Sequence, residues 1–215
     1  MAALFSADSA LMRGLTVVAD VMILNFLFIV TSIPIVTLGA SLTALNFTAM
    51  RIATGECGSV SADYFRSFRL NFRQGTVIGL ILAALIAVLA AWYIVITTFD
   101  LGNIAELALL AIWYLLAFNF AIMTLFVFPY LANFEGRTRE VFRNARLMSW
   151  RHPLVSLAAL AVIALTVTAT VFYPQVTAYG LFWLLFGFAA IATINGRLFA
   201  LVFAKYVAAQ KTPQT

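Results

Sequence analysis

Three carboxamides and one carboxylate interrupt apolar stretches of this chain: Asn25, Asn119, Asn195 and Asp20. An ionised Asp at the centre of a membrane helix costs on the order of 2.5–3.5 kcal/mol on insertion scales, so it must be paired, hydrated or protonated. Asp20 lies near the start of its apolar stretch. That position fits either a structural bond near the interface or a proton- or ligand-linked site shared with Asn25, Asn119 or Asn195. Asn25 lies five residues beyond Asp20 and so does not share its face closely. Arg197, near the inner end of the last apolar stretch, could snorkel as a counter-ion. His152 stands beside Pro153 with no second histidine or carboxylate nearby and reads as an interfacial residue. Cys57 is the only cysteine, which excludes an intrachain disulfide and leaves a small loop residue between Gly55 and Gly58. No nucleophile with its base, no paired carboxylates, no cluster of metal ligands and no phosphate-binding glycine loop can be found. The residues therefore predict no enzyme, no metal and no cofactor.

The elements that must position these groups follow from composition. Of 215 residues, 64% are apolar and 10% charged, against roughly 25% charged in a typical soluble domain. A soluble fold of this size could not hide that much apolar surface, so lipid must be its solvent. The net charge of +5 is dispersed in short segments between uncharged runs, which argues against nucleic-acid binding. The N-terminus has no basic region before its apolar residues, so the first helix is expected to stay and direct insertion.

A span needs about 20 mostly apolar residues. The uncharged stretches run from Val21 to Met50, Gln74 to Phe99, Leu107 to Phe134, and Pro153 to Gly196. The last breaks at Tyr173-Pro174-Gln175 into spans near 153–173 and 178–204. Residues 15–53 form either one long tilted helix or two spans folded back around Thr31-Ser32-Ile33-Pro34 and Thr37-Leu38-Gly39. The hairpin is preferred, because Pro34 breaks a helix and its Thr and Ser neighbours can satisfy the freed backbone groups. The expectation is an all-α, polytopic transmembrane bundle of six helices, or five if residues 15–53 form a single span, in one domain over 1–215. No alternating polar pattern suggests a β-barrel.

Arginines set the orientation. Arg51, Arg66, Arg69 and Arg73 share one connection, and Arg137, Arg139, Arg143, Arg146 and Arg151 another; Arg197, Lys205 and Lys211 lie near the C-terminus. The connections carrying Asp100 with Glu106, and Pro174 to Tyr179, have no Lys or Arg. The basic segments and the C-terminus are thus expected on the cytoplasmic side of an inner membrane, with the N-terminus also inside if there are six spans.

Two basic segments are predicted as short cytoplasmic helices, 61–73 and 138–150. Phe65, Phe68 and Phe72 fall on one face of the first, flanked by Arg66, Arg69 and Arg73, with Ser61 as N-cap and Asp63 in the first turn. In the second, Val141, Ala145 and Met148 share a face, as do Arg139, Arg143 and Arg146. Such helices can simply fix topology at the lipid interface or offer a docking surface to a transport partner. Gly75, Gly79, Ala83, Ala87 and Ala91 recur every four residues, a stripe suited to helix packing inside the bundle or against another subunit. Asn25 with Pro34 and Asn119 with Pro129 hint at an internal duplication, a pattern that shared topology alone could also produce.

The stretch from Asp20 to Leu45 holds Asn25, Ser32, Pro34, Val36, Thr37, Gly39 and Ala40, and Asp63 to Thr76 holds Phe65, Phe68, Asn71 and Phe72. In these motifs, and less specifically in Phe128-Pro129-Tyr130, the chain resembles the YesL-like family of bacterial membrane proteins of unknown function. The resemblance is specific over the first third of the chain and elsewhere rests mainly on span pattern. It implies genomic company with ATP-driven carbohydrate uptake systems and no established reaction. The resulting expectation is a non-enzymatic accessory or subunit of a carbohydrate ABC uptake transporter. The alternative is an independent small transporter with its path near Asp20, Asn25 and Asn119, and a structural or lipid-interacting protein also remains open.

Overall fold

The computed structural model describes residues 10–99, 102–175, 177 and 180–211. Asp100 and Tyr179, of the connections without Lys or Arg, lie outside them. The described chain is helical: α1 (Ala10–Ser32), α2 (Leu38–Thr54), α3 (Val60–Thr98), α4 (Asn103–Asn133), α5 (Thr138–Arg151), α6 (Pro153–Phe172) and α7 (Phe188–Lys211). A 3-10 turn, Ile35–Thr37, precedes α2, and a π-helical stretch, Trp183–Gly187, precedes α7. Six helical stretches are long and apolar enough to cross a membrane, and no strand occurs among the described residues. The protein is a polytopic helical membrane bundle.

The hairpin expected within residues 15–53 forms. α1 ends at Ser32, just before Pro34, and α2 starts four residues beyond the proline. Thr37 Oγ1 donates to the carbonyl oxygens of Thr31 at 2.6 Å and Pro34 at 2.7 Å, supplying donors to backbone that the break leaves open. At the far end of α2, Gly55 adopts φ 74°, and Glu56 N–H reaches back to Arg51 O at 2.8 Å. This left-handed close stops the helix and turns the chain into α3.

α3 departs from the expected layout. Residues 61–73 form no separate short helix; they are the opening turns of one 39-residue α-helix, about 58 Å long, that continues through the apolar stretch. Nothing between Arg73 and Gly75 breaks a helix, so the basic segment and the span fuse. Ser59, rather than Ser61, occupies the N-cap position. The other basic segment is a short helix of its own, α5.

The closest helix crossing joins α2 to α3. A Cβ placed on Gly39 would collide with the carbonyl oxygen of Gly75 and stand 3.0 Å from Gly79 Cα, so the two backbones touch there. Nearer the helix ends, Arg51 Nε meets Asp63 Oδ2 at 2.8 Å, the ion pair found among the described residues. The stripe of small residues divides at this crossing. Gly75 is buried and Gly79 half-buried, whereas Ala83, Ala87 and Ala91 are exposed. The reason is geometric: a four-residue step advances about 40° beyond a full turn, so the stripe winds away from the contact.

Candidate functional site

Asn25 is wholly buried on α1, and its carboxamide is fully used. Nδ2 donates to the carbonyl oxygens of Trp183 at 3.0 Å and Leu184 at 2.9 Å, and Oδ1 accepts from Ala189 N–H at 3.1 Å. A π stretch interrupts the ordinary i to i−4 ladder, leaving backbone groups in want of partners. Asn25 supplies them, so this residue is a clasp holding α1 to the distorted start of the last span.

The four polar residues read as one intramembrane site do not bond to one another. Asn195 Nδ2 donates to Ala159 O of α6 at 3.3 Å, while its Oδ1 is buried without a partner. Asn119 is half-buried on α4 and Asp20 half-buried on α1; neither side chain forms a hydrogen bond or ion pair. Arg197 is exposed and does not pair with Asp20. No hydrogen bond links any two of Asp20, Asn25, Asn119 and Asn195.

The basic surface is built on two anchored helices. Along α3, Tyr64, Ser67, Gly75, Ile78 and Leu82 face inward. Tyr64 is wholly buried, its hydroxyl 2.5 Å from Thr31 Oγ1, and its ring stacks on Phe68 with centroids 6.2 Å apart. Arg66, Arg69 and Arg73 are exposed on the other side, with Phe65, Leu70 and Phe72 exposed beside them and Phe68 half-buried. Leu70, at 75% exposure, stands out among these. On α5, Val141, Ala145 and Met148 are buried and Arg139, Arg143 and Arg146 exposed, the division their periodicity predicts. Gln74 Nε2 donates to Gly136 O at 2.9 Å and so ties α3 to the loop that leads into α5. Glu140 caps the start of α5 by accepting from Arg137 N–H at 2.8 Å.

Residues 21–93 match the model of a family described as a protein of unknown function, DUF624. The match to DUF624 runs from α1 through most of α3 and takes in Asn25, the Pro34 turn, the Gly39 crossing and the arginines of α3. No curated protein and no solved structure matches the chain.

Two titratable groups outside the spans are shifted. Burial, followed by the neighbouring Asp63 carboxylate, pushes the Cys57 thiol up to about 11. It is therefore a thiol at neutral pH and a poor nucleophile. His152 accepts or donates a 3.0 Å bond with the Tyr206 hydroxyl, and burial, Lys205 and Arg151 hold its imidazole below the ordinary value. Among described residues no group of three or more His, Cys, Asp or Glu could hold a metal ion.

Sequence reasoning missed Tyr64, the packing role of Gly39 and the partners of Asn25. Tyr64 carried a signal, since it opens the series 64, 67, 71, 75, 78, 82 of a helix buried along one edge. The π stretch left none.

Proposed function

We propose that the chain is a non-enzymatic inner-membrane protein whose basic surface, oriented to the cytoplasm, docks a partner subunit. In keeping with its resemblance to YesL-like proteins, that partner would belong to a carbohydrate ABC uptake transporter. The observation that carries the reading is the pair of exposed basic faces on α3 and α5. Exposed arginines interleave with exposed Phe65, Leu70 and Phe72 on helices whose opposite faces are fixed in the bundle. Interfaces favour arginine and aromatic residues presented in this way, and an acidic, partly apolar partner would complement them. Excess arginine supports the cytoplasmic orientation. Asn25 is engaged with backbone groups of the last span and makes no hydrogen bond to Asp20, Asn119 or Asn195, which counts against an independent transport path through them.

The test is co-purification from native membranes with Arg66→Glu and Arg69→Glu combined. The variant is expected to insert normally and lose transporter subunits that the wild type retains. Equal recovery of those subunits, or solute flux by the purified wild type alone in liposomes that Asp20→Asn abolishes, would remove the proposal.

A further inference from the structure

Walls from α1, α2, α4, α6 and α7 enclose a cavity of about 570 Å³, within the roughly 300–1,000 Å³ usual for small-molecule sites. Its lining is overwhelmingly apolar and contains no Asp, Glu, Lys, Arg or His. Ions and phosphates are thereby excluded. A sugar, which needs hydrogen-bonding groups on every side, is equally unsuited.

Asn195 Oδ1 is buried without a donor. One hydrogen of its Nδ2 goes to Ala159 O and one of Asn46 Nδ2 to Leu42 O, while the Thr124 hydroxyl donates to Phe120 O. Pro129 lies inside α4 and has no N–H, so the carbonyl of Leu125, one turn earlier, lacks its helical donor. Leu125 and Pro129 both line the cavity. Asn195 Oδ1 is thus a buried acceptor of the wall without a donor, and leaving such a group empty costs about 1–3 kcal/mol. On α6, Leu160 and Ile163 are half-buried and Val167 exposed, which opens the rim toward the surrounding bilayer.

We propose that this cavity binds an uncharged, chain-like amphiphile that lies along the apolar wall and donates its hydroxyl hydrogen to Asn195 Oδ1. The ligand enters from the lipid between α4 and α6. Its binding is independent of partner docking at the basic surface.

The decisive experiment is photolabelling of the full chain in liposomes with a decanol that carries a diazirine, followed by peptide mapping. Labelling is expected to concentrate on α4 near Leu125 and Phe128 and on α6 near Leu160 and Ile163. Excess n-decanol should displace it and n-decane should not. Asn195→Leu should weaken labelling roughly five- to tenfold, the worth of one hydrogen bond. Ala121→Trp, which fills the cavity and leaves Asn195 in place, should abolish it. Even labelling across outward residues such as Leu115 and Leu165, equal displacement by n-decane, or undiminished labelling of Ala121→Trp would each overturn the proposal. If Asn195→Leu does not accumulate, Ala121→Trp and the alcohol-to-alkane comparison decide alone.

Discussion

Asn25 and Ala189 lie 164 residues apart in sequence, yet the carboxamide oxygen of the first accepts the backbone N–H of the second at 3.1 Å. With the two bonds from Nδ2 to Trp183 and Leu184, two main-chain groups of the π stretch and one at the start of α7 depend on one side chain. Asn25→Leu keeps the volume and removes all three bonds. The expected loss is about 2–4 kcal/mol of stability, since apolar surroundings offer those groups no other partner. Thermal unfolding in detergent measures it, and an unchanged midpoint would show that the clasp is dispensable.

The backbone contact at Gly39 leads to a second expectation. Gly39→Leu should prevent α2 from seating on α3 and cut the yield of folded protein sharply. Ala87→Leu and Ala91→Leu, on the exposed part of α3, should be tolerated within about 0.5 kcal/mol. Gly14→Ala, where an added Cβ meets nothing within 4 Å, serves as the control. Size-exclusion profiles after mild heating would rank the four variants; equal profiles would refute the assignment of the crossing.

Cys57 should alkylate slowly at pH 8, because its thiol, pushed up to about 11, is almost wholly protonated there. The rate should keep rising through pH 10. Asp63→Asn removes a nearby negative charge and should bring the rise to lower pH. A rate that levels off by pH 9 would contradict the buried environment.

His152 is held neutral, its folded value lying below the ordinary one. An unfolded chain then binds the proton more readily than the folded one, so stability is full above about pH 6.5 and declines as the pH falls below it. Melting between pH 7.5 and 5 should show this decline, and His152→Gln should flatten it. The same slope in the variant would assign the titration to another group.

Much of the architecture was legible because membrane segments announce themselves by length and apolarity. Pro34 marked the hairpin, and the spacing of Val141, Ala145 and Met148 gave the packed face of α5 correctly. The fusion of residues 61–73 with the following span was less visible: charge changes at Arg73, but helix geometry responds to backbone breakers and there is none. The candidate site was harder still. Asn25 stood out as a polar residue in an apolar run, but its partners are backbone atoms of a local distortion that no side-chain pattern encodes. Asn119 and Asn195 looked equivalent in sequence; only packing shows one half-exposed and the other tied to Ala159.

α3 is one piece from Val60 to Thr98, with no proline along its length. Its arginine-bearing end and its opposite end are therefore the two arms of a single stiff rod, pivoting where Gly39 presses on Gly75 and Gly79. A load applied at Arg66 cannot be absorbed by a hinge between surface and span. It must swing the far arm, and with it α4, whose Trp113 indole N–H donates to Leu89 O of α3 at 2.8 Å.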